Sequence, residues 1–153
     1  VAAGVHLRAR IDWTDLHGDR DYDDHTAFAA SKLMVVLSTA ELARRLKGRN
    51  IVVNAADPGV ARTKLLDEML GGGNAPPATL TQAAATSIYL ALAPDTGRVT
   101  GRYYVDRRPS RMHPLAGDPA TTGKLYAISL QLCGIPALPK PPNGKESGKA
   151  AES

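Results

Sequence analysis

Few side chains in this sequence combine a reactive atom with a spacing that could use it, and Ser31-Lys32 is the first pair that does. A helical lysine ammonium can hold a polar ligand, or lower the pKa of a hydroxyl one turn away. One turn before Lys32 stands Phe28, whose phenyl ring fills space and cannot give or take a proton. Thr63, a little beyond Pro58-Gly59, carries a hydroxyl that could meet a ligand or simply cap a helix starting at Lys64.

Other chemistry-bearing groups lack a working pattern. Asp19, Asp21 and Asp23 imitate the opening of a calcium loop, but the positions that need Gly and a bidentate Glu hold Asp24 and Ala30. The run reads as a solvated acidic loop that ends in a helix cap. His6, His17, His25 and His113 show no ligand spacing, and the lone Cys133 adds none, so no metal site is expected. His25 reads as a surface residue at a helix start. Gly71-Gly72-Gly73 is not followed by the Gly-Lys-Ser/Thr of a phosphate loop.

The elements that must position Lys32 and Thr63 follow from periodicity. Asp23 or Asp24 caps a helix expected over Thr26 to Leu46, with apolar residues at Ala30, Leu33, Met34, Leu37 and Ala40, and Gly48 closing it. Val1 to Val5 resembles the end of a strand, and His6 to Asp24 a long polar loop. Ile51 to Ala56 reads as a buried parallel strand broken by Asp57-Pro58-Gly59. A short helix is expected over Lys64 to Leu70, then a loop through Pro77. A helix capped by Thr81 runs to Leu92, Gly101 to Val105 is a short strand, and Pro119 to Leu132 a last helix. The order of strands and helices gives the fold class α/β, with too few strands for a complete parallel sheet.

Composition narrows the classes. The chain has 153 residues, 43% hydrophobic, 22% charged and 5% aromatic, enough for one core packed by Ala, Val and Leu. The formal charge of +4 arises from scattered basic residues without interleaved aromatics, so no nucleic-acid partner is expected. A single cysteine points to a reducing cytoplasm, and no run reaches the apolar length of a membrane span. Residues 136–153 are Pro-, Gly-, Lys- and Ser-rich and read as a disordered tail. The chain begins with Val1, which suggests a fragment or a GTG start.

Several motifs in order resemble the short-chain dehydrogenase/reductase family. Phe28-x-x-Ser31-Lys32 matches its Tyr-x-x-Ser-Lys box, and Pro58-Gly59-Val60-Ala61-Arg62-Thr63 its Pro-Gly-x-x-x-Thr segment. Ser87-Ile88-Tyr89-Leu90, Gly101-Arg102-Tyr103-Tyr104 and Leu115-Ala116-Gly117-Asp118-Pro119 look like the retinol-dehydrogenase-like branch. The resemblance covers residues 1–135 and implies an α/β fold that is the C-terminal portion of a Rossmann-type doubly wound parallel sheet, the C-terminal half of an oxidoreductase domain. It implies NAD(P) as cofactor, an alcohol or carbonyl substrate, Lys32 on the cofactor ribose, and Pro58, Gly59 and Thr63 along the nicotinamide.

Against that family's pattern, Phe28 stands at the position of the catalytic Tyr and Ala3 at that of the catalytic Ser. The Gly-rich turn that cradles the pyrophosphate does not occur in this sequence. Two functions compete: an NAD(P)-dependent oxidoreductase segment with impaired catalysis, or a non-catalytic relative that acts only by packing, with a homo-oligomer as one form.

Overall fold

The acidic run ends where Asp23 accepts the Thr26 amide on its side chain at 2.8 Å, and that cap starts helix α1, Asp24–Arg45. The structure, a computed structural model, describes residues 1–61, 64, 68 and 78–138. Leu33, Val36 and Leu37 on α1 are wholly buried, the spacing of a stripe turned to a core. Between His25 and Ala43 only Lys32 and Glu41 carry charge. By length and composition α1 could therefore cross a membrane: 22 residues with mean hydropathy 1.3, of which the apolar window is 33% buried within the protein. This corrects the expectation that no run reaches that length. Small uncharged Ala, Ser and Thr on the outer face keep hydropathy high where a surface helix usually carries charge.

Strand β1, Ala55–Asp57, runs parallel to β2, Tyr103–Val105, with Ala55 opposite Tyr103. A third strand, β3, Arg108–Ser110, returns antiparallel to β2. The turn between them uses Asp106 and Arg107 at φ 52° and 63°, the twist that two-residue hairpins require. The hairpin is not foreseeable from an Asp-Arg pair, and Pro109 is tolerated because β3 is an edge. The Ala2 amide donates to the Ala56 carbonyl at 2.8 Å, so the first residues lie beside β1. They then wind into a 3-10 helix over Gly4–Arg8, which interrupts the expected polar loop.

The strand expected over Ile51 to Ala56 is regular only from Ala55. Upstream, the Val53 amide donates to the Thr100 hydroxyl at 2.9 Å, while Asn54 uses its side-chain amide to bond Val99 and Arg102. Side chains supplement the backbone there, where the Gly101 amide donates to the Val53 carbonyl at 2.7 Å, and Ile51 and Val52 remain 51% and 40% exposed rather than buried. Helix α2, Leu80–Leu92, is capped by Thr79, not Thr81: Thr79 and Gln82 form a reciprocal capping box. Helix α3, Pro119–Cys133, matches expectation, with Asp118 capping its start and Gly134 at φ 62° closing it. The expectations for residues 62–63, 65–67, 69–77 and 139–153, including the Gly-rich loop and most of the tail, lie outside the described residues.

Successive strand residues face opposite sides, and that alternation layers the molecule. Tyr103 joins Ala2, Ala55 and Val36 in one cluster under α1, while the Tyr104 ring lies 6.4 Å from Tyr89 on α2. A second cluster of Ala9, Leu33, Leu37 and Leu125 joins α1 to α3. Helices thus cover both faces of a small mixed sheet. The α/β reading stands, and the purely parallel sheet becomes a parallel pair with an antiparallel edge.

Candidate functional site

Phe28 and Lys32 share one face of α1, both half-buried, and the Lys32 ammonium lies 5.0 Å from the centre of the Phe28 ring. One helical turn brings i and i+4 side chains together, and a cation is drawn to the face of an aromatic ring. Ser31 donates its hydroxyl hydrogen to the Phe28 carbonyl at 2.7 Å, so it has no donor left for a ligand. The pair can hold charge against a ring, but no proton can move at Phe28.

Ala3 sits half-buried at the start of the Gly4–Arg8 turn, in extended backbone. Its carbonyl accepts from the His6 Nδ1 at 2.8 Å, and its side chain is a methyl without a donor. His6 is wholly buried, its ring edge-on to Tyr103 at 4.6 Å between centroids. Its place as a packed core residue, rather than a ligand, could be suspected only from the surrounding small residues.

Pro58 and Gly59 follow β1 in a turn that Asp57 builds. One carboxylate oxygen of Asp57 accepts the Gly59 amide at 2.7 Å, and the other accepts the Tyr103 hydroxyl. Burial, then the hydrogen bond to Asp57, pushes the Tyr103 phenol far above its usual range, so Tyr103 stays protonated and donates. Gly59 adopts φ 68°, which favours glycine, and a side chain there would meet nothing within 4 Å. Sequence reasoning missed the Asp57–Tyr103 pair. Its partners lie 46 residues apart, and only strand pairing aligns them.

The Asp57-Pro58-Gly59 turn opens on a cleft of about 620 Å³, also lined by Val60, Gln82, Thr86 and Asp106. Phe28, Lys32 and Ala3 are not among the described residues that line it. Thr63 lies outside the described residues, so its side chain joins neither group. Among the described residues no three His, Cys, Asp or Glu side chains gather as a metal site would need.

An exposed, side-chain-free backbone at Gly59 beside an open cleft leaves room for a flat ring to approach, while Lys32 does not line that cleft. The described residues contain no glycine-rich turn between a strand and a helix start to receive a pyrophosphate.

No family model matches the chain. Curated proteins do. Retinol dehydrogenase 14 of Mus musculus is 35% identical over 145 residues, 88% of this chain and 43% of that protein. Retinol dehydrogenase 13 of Homo sapiens is 36% identical over 87% of this chain and 44% of its own length. Polyprenol dehydrogenase of Danio rerio is 30% identical, covering 88% and 45%. The chain thus spans under half the length of the curated relatives it matches. A crystal structure of an uncharacterized protein from Mycobacterium Paratuberculosis superposes with a TM-score of 0.65 at 24% identity, over 88% of this chain and 48% of that one. That likeness concerns the fold.

The expectation of a cytoplasmic location does not stand. The relatives are named for retinol and polyprenol, both lipid-soluble alcohols, and α1 is long and apolar enough to fit membrane association. A lone cysteine reports redox compartment, not distance from a bilayer.

Proposed function

From a chain that belongs to the short-chain dehydrogenase/reductase family, in its retinol-dehydrogenase-like branch, we infer part of an NAD(P)-dependent oxidoreductase acting on an alcohol or carbonyl, with proton transfer impaired. In this reading residues 1–135 form the C-terminal portion of a doubly wound Rossmann-type domain. Lys32 would hold the cofactor ribose, and Pro58, Gly59 and Thr63 would lie along the nicotinamide. When bound, that cofactor would accept a hydride from an alcohol or give one to a carbonyl. The chain's own part is to orient and shield: Asp57 and Tyr103 fix the Pro58–Gly59 turn, and α1 carries Lys32.

The observation that supports impairment is the Lys32 ammonium resting on the Phe28 ring. A lysine that would depress a phenol's pKa meets a ring with no proton to lose, and Ala3 offers no hydroxyl to the substrate oxygen. Joining the chain to a complete cofactor-binding half from a close relative, and assaying alcohols and aldehydes, tests this reading. Turnover at rates usual for the family without any substitution would overturn it.

A second reading, a packing module without catalysis, is favoured by the exposed apolar pair Ile88 and Leu92, one turn apart on α2 at 50% and 76%. Cofactor affinity of the same hybrid before and after Lys32→Ala separates the two, because in a packing module Lys32 contributes nothing to it.

A further inference from the structure

We propose that His113 is a proton-operated latch: neutral, it pins the turn after β3 beside the Gly4–Arg8 turn, and protonated, it lets that turn go. His113 stands just beyond β3 and caps a short 3-10 helix, Pro114–Gly117. Its Nδ1 accepts the Leu115 amide at 3.2 Å. A neutral imidazole keeps a lone pair for such a bond, whereas an imidazolium carries a hydrogen on both ring nitrogens. Protonation therefore sets a donor against a donor.

The surroundings also oppose the charge. His113 is half-buried and lines a groove with Leu7 and Arg8 of the Gly4–Arg8 turn. His6, wholly buried in that turn, donates from Nδ1 to the Ala3 carbonyl, and its Nε2 has no hydrogen-bond partner among the described residues. Burial, then the nearby His6, pushes the His113 imidazole below its ordinary range. Arg8 and Arg10 line the same groove, and Lys124 on α3 lies over the Trp13 ring that lines it too, so these neighbours are cations. Between His25 and Ala43, α1 adds only Lys32 and the Glu41 carboxylate, which is bonded to Arg44, Arg45 and Thr122. The remaining carboxylates are occupied. Asp118 accepts the first amides of α3, Asp12 bonds Thr14, Asp15 pairs with Arg20, and Asp57 accepts from Tyr103.

The turn held by this latch lies where two cores meet. Ala116 packs against the cluster of Ala2, Val36 and Tyr103 and against that of Leu33, Leu37 and Leu125, which Leu115 also joins. Release at Leu115 therefore loosens the seat between α1 and α3, together with the surroundings of His6, whose hydrogen bond fixes Ala3. With its folded value lowered, His113 contributes stability that is complete above about pH 6.5, the unfolded histidine value, and is lost as pH falls through the folded one. Glu41 titrates in a lower, carboxylic range, which keeps the two effects apart.

Urea denaturation of the full chain at about pH 7.5 and about pH 5.5, with NMR of the Leu115 amide, tests the latch. On acidification the unfolding constant should rise about two- to tenfold, the range set by loss of one hydrogen bond. The Leu115 amide resonance should move with the same midpoint as the His113 ring. His113→Asn keeps a capping acceptor without a titrating group, so it should hold stability at the higher pH and remove most of the rise. His25→Asn, at the exposed start of α1, should leave the rise intact. An unfolding constant that does not rise overturns the proposal, as does a rise that survives in His113→Asn or vanishes in His25→Asn. Should His113→Asn not fold, the unaltered chain decides: a Leu115 amide that ignores the His113 titration overturns the latch.

Discussion

The hydroxyl of Thr122 on α3 donates to the buried carboxylate of Glu41 on α1 at 2.9 Å, across 81 residues of sequence. Arg44 and Arg45 bond the same carboxylate from one turn later on α1, and the Arg45 guanidinium also lies 3.9 Å from the centre of the Tyr126 ring. A wholly buried carboxylate is held ionised by neighbours on two helices, and it joins them.

Stability should depend on pH through this group. Burial raises the Glu41 pKa, but the hydrogen bonds from Arg44, Arg45 and Thr122 outweigh it and leave the carboxyl below the usual glutamate range. A depressed folded-state pKa contributes stability that is fully present above the unfolded value, about pH 4.3, and is lost as pH falls through the folded value. Chemical denaturation from pH 7 to 3 should show that loss, and Glu41→Gln should flatten it. Thr122→Val, which removes one hydrogen bond to a charged group, should cost about 1.5–3 kcal/mol at neutral pH.

Gly101 should resist substitution. Its φ of 74° favours glycine, and an added Cβ would come within 3.1 Å of the Ala43 Cβ on α1. Gly101→Ala combines left-handed strain of about 1–2 kcal/mol with crowding between the sheet and its main helix. Thermal melting should show a larger fall than Gly59→Ala, where φ is 68° but nothing lies within 4 Å.

Catalysis should respond to Phe28. In the hybrid carrying a complete cofactor-binding half, Phe28→Tyr should raise turnover by about 10²–10⁴-fold, the usual worth of positioned proton transfer. Ala3→Ser should add to it. No gain in a folded, cofactor-binding hybrid would show that the site lies elsewhere.

The chain by itself should bind NADH and NADPH weakly. On the proposed reading Pro58, Gly59 and Lys32 would meet only the nicotinamide and its ribose, while most anchoring in such folds comes from a glycine-rich pyrophosphate turn that this sequence does not contain. Calorimetric titration giving micromolar affinity for either would contradict this.

Helices and their ends were legible because they are local. Asp23 before α1, and Asp118 with Gly134 around α3, act on amides and dihedrals within a few residues, and those contacts are written in the order of the chain. Family motifs were legible for the same reason: Ser31-Lys32 and Pro58-Gly59 are short and ordered. Thr79 was missed as a cap only because Thr81 offers the same chemistry two positions on, and Gln82 decides between them.

What the tertiary structure decided was every partnership between distant residues. Sheet register brings the Tyr103 hydroxyl to Asp57, the α1–α3 packing brings Thr122 to Glu41, and the Asp106–Arg107 turn creates a strand that no periodicity announced. Strand content depended on it too. Ile51 and Val52 have the residue types of a buried strand but remain exposed, since burial belongs to whatever packs against a strand and not to the strand alone. From sequence, Phe28 and Lys32 are a motif with one atom missing; only the folded helix shows the lysine resting on the ring that replaced its partner.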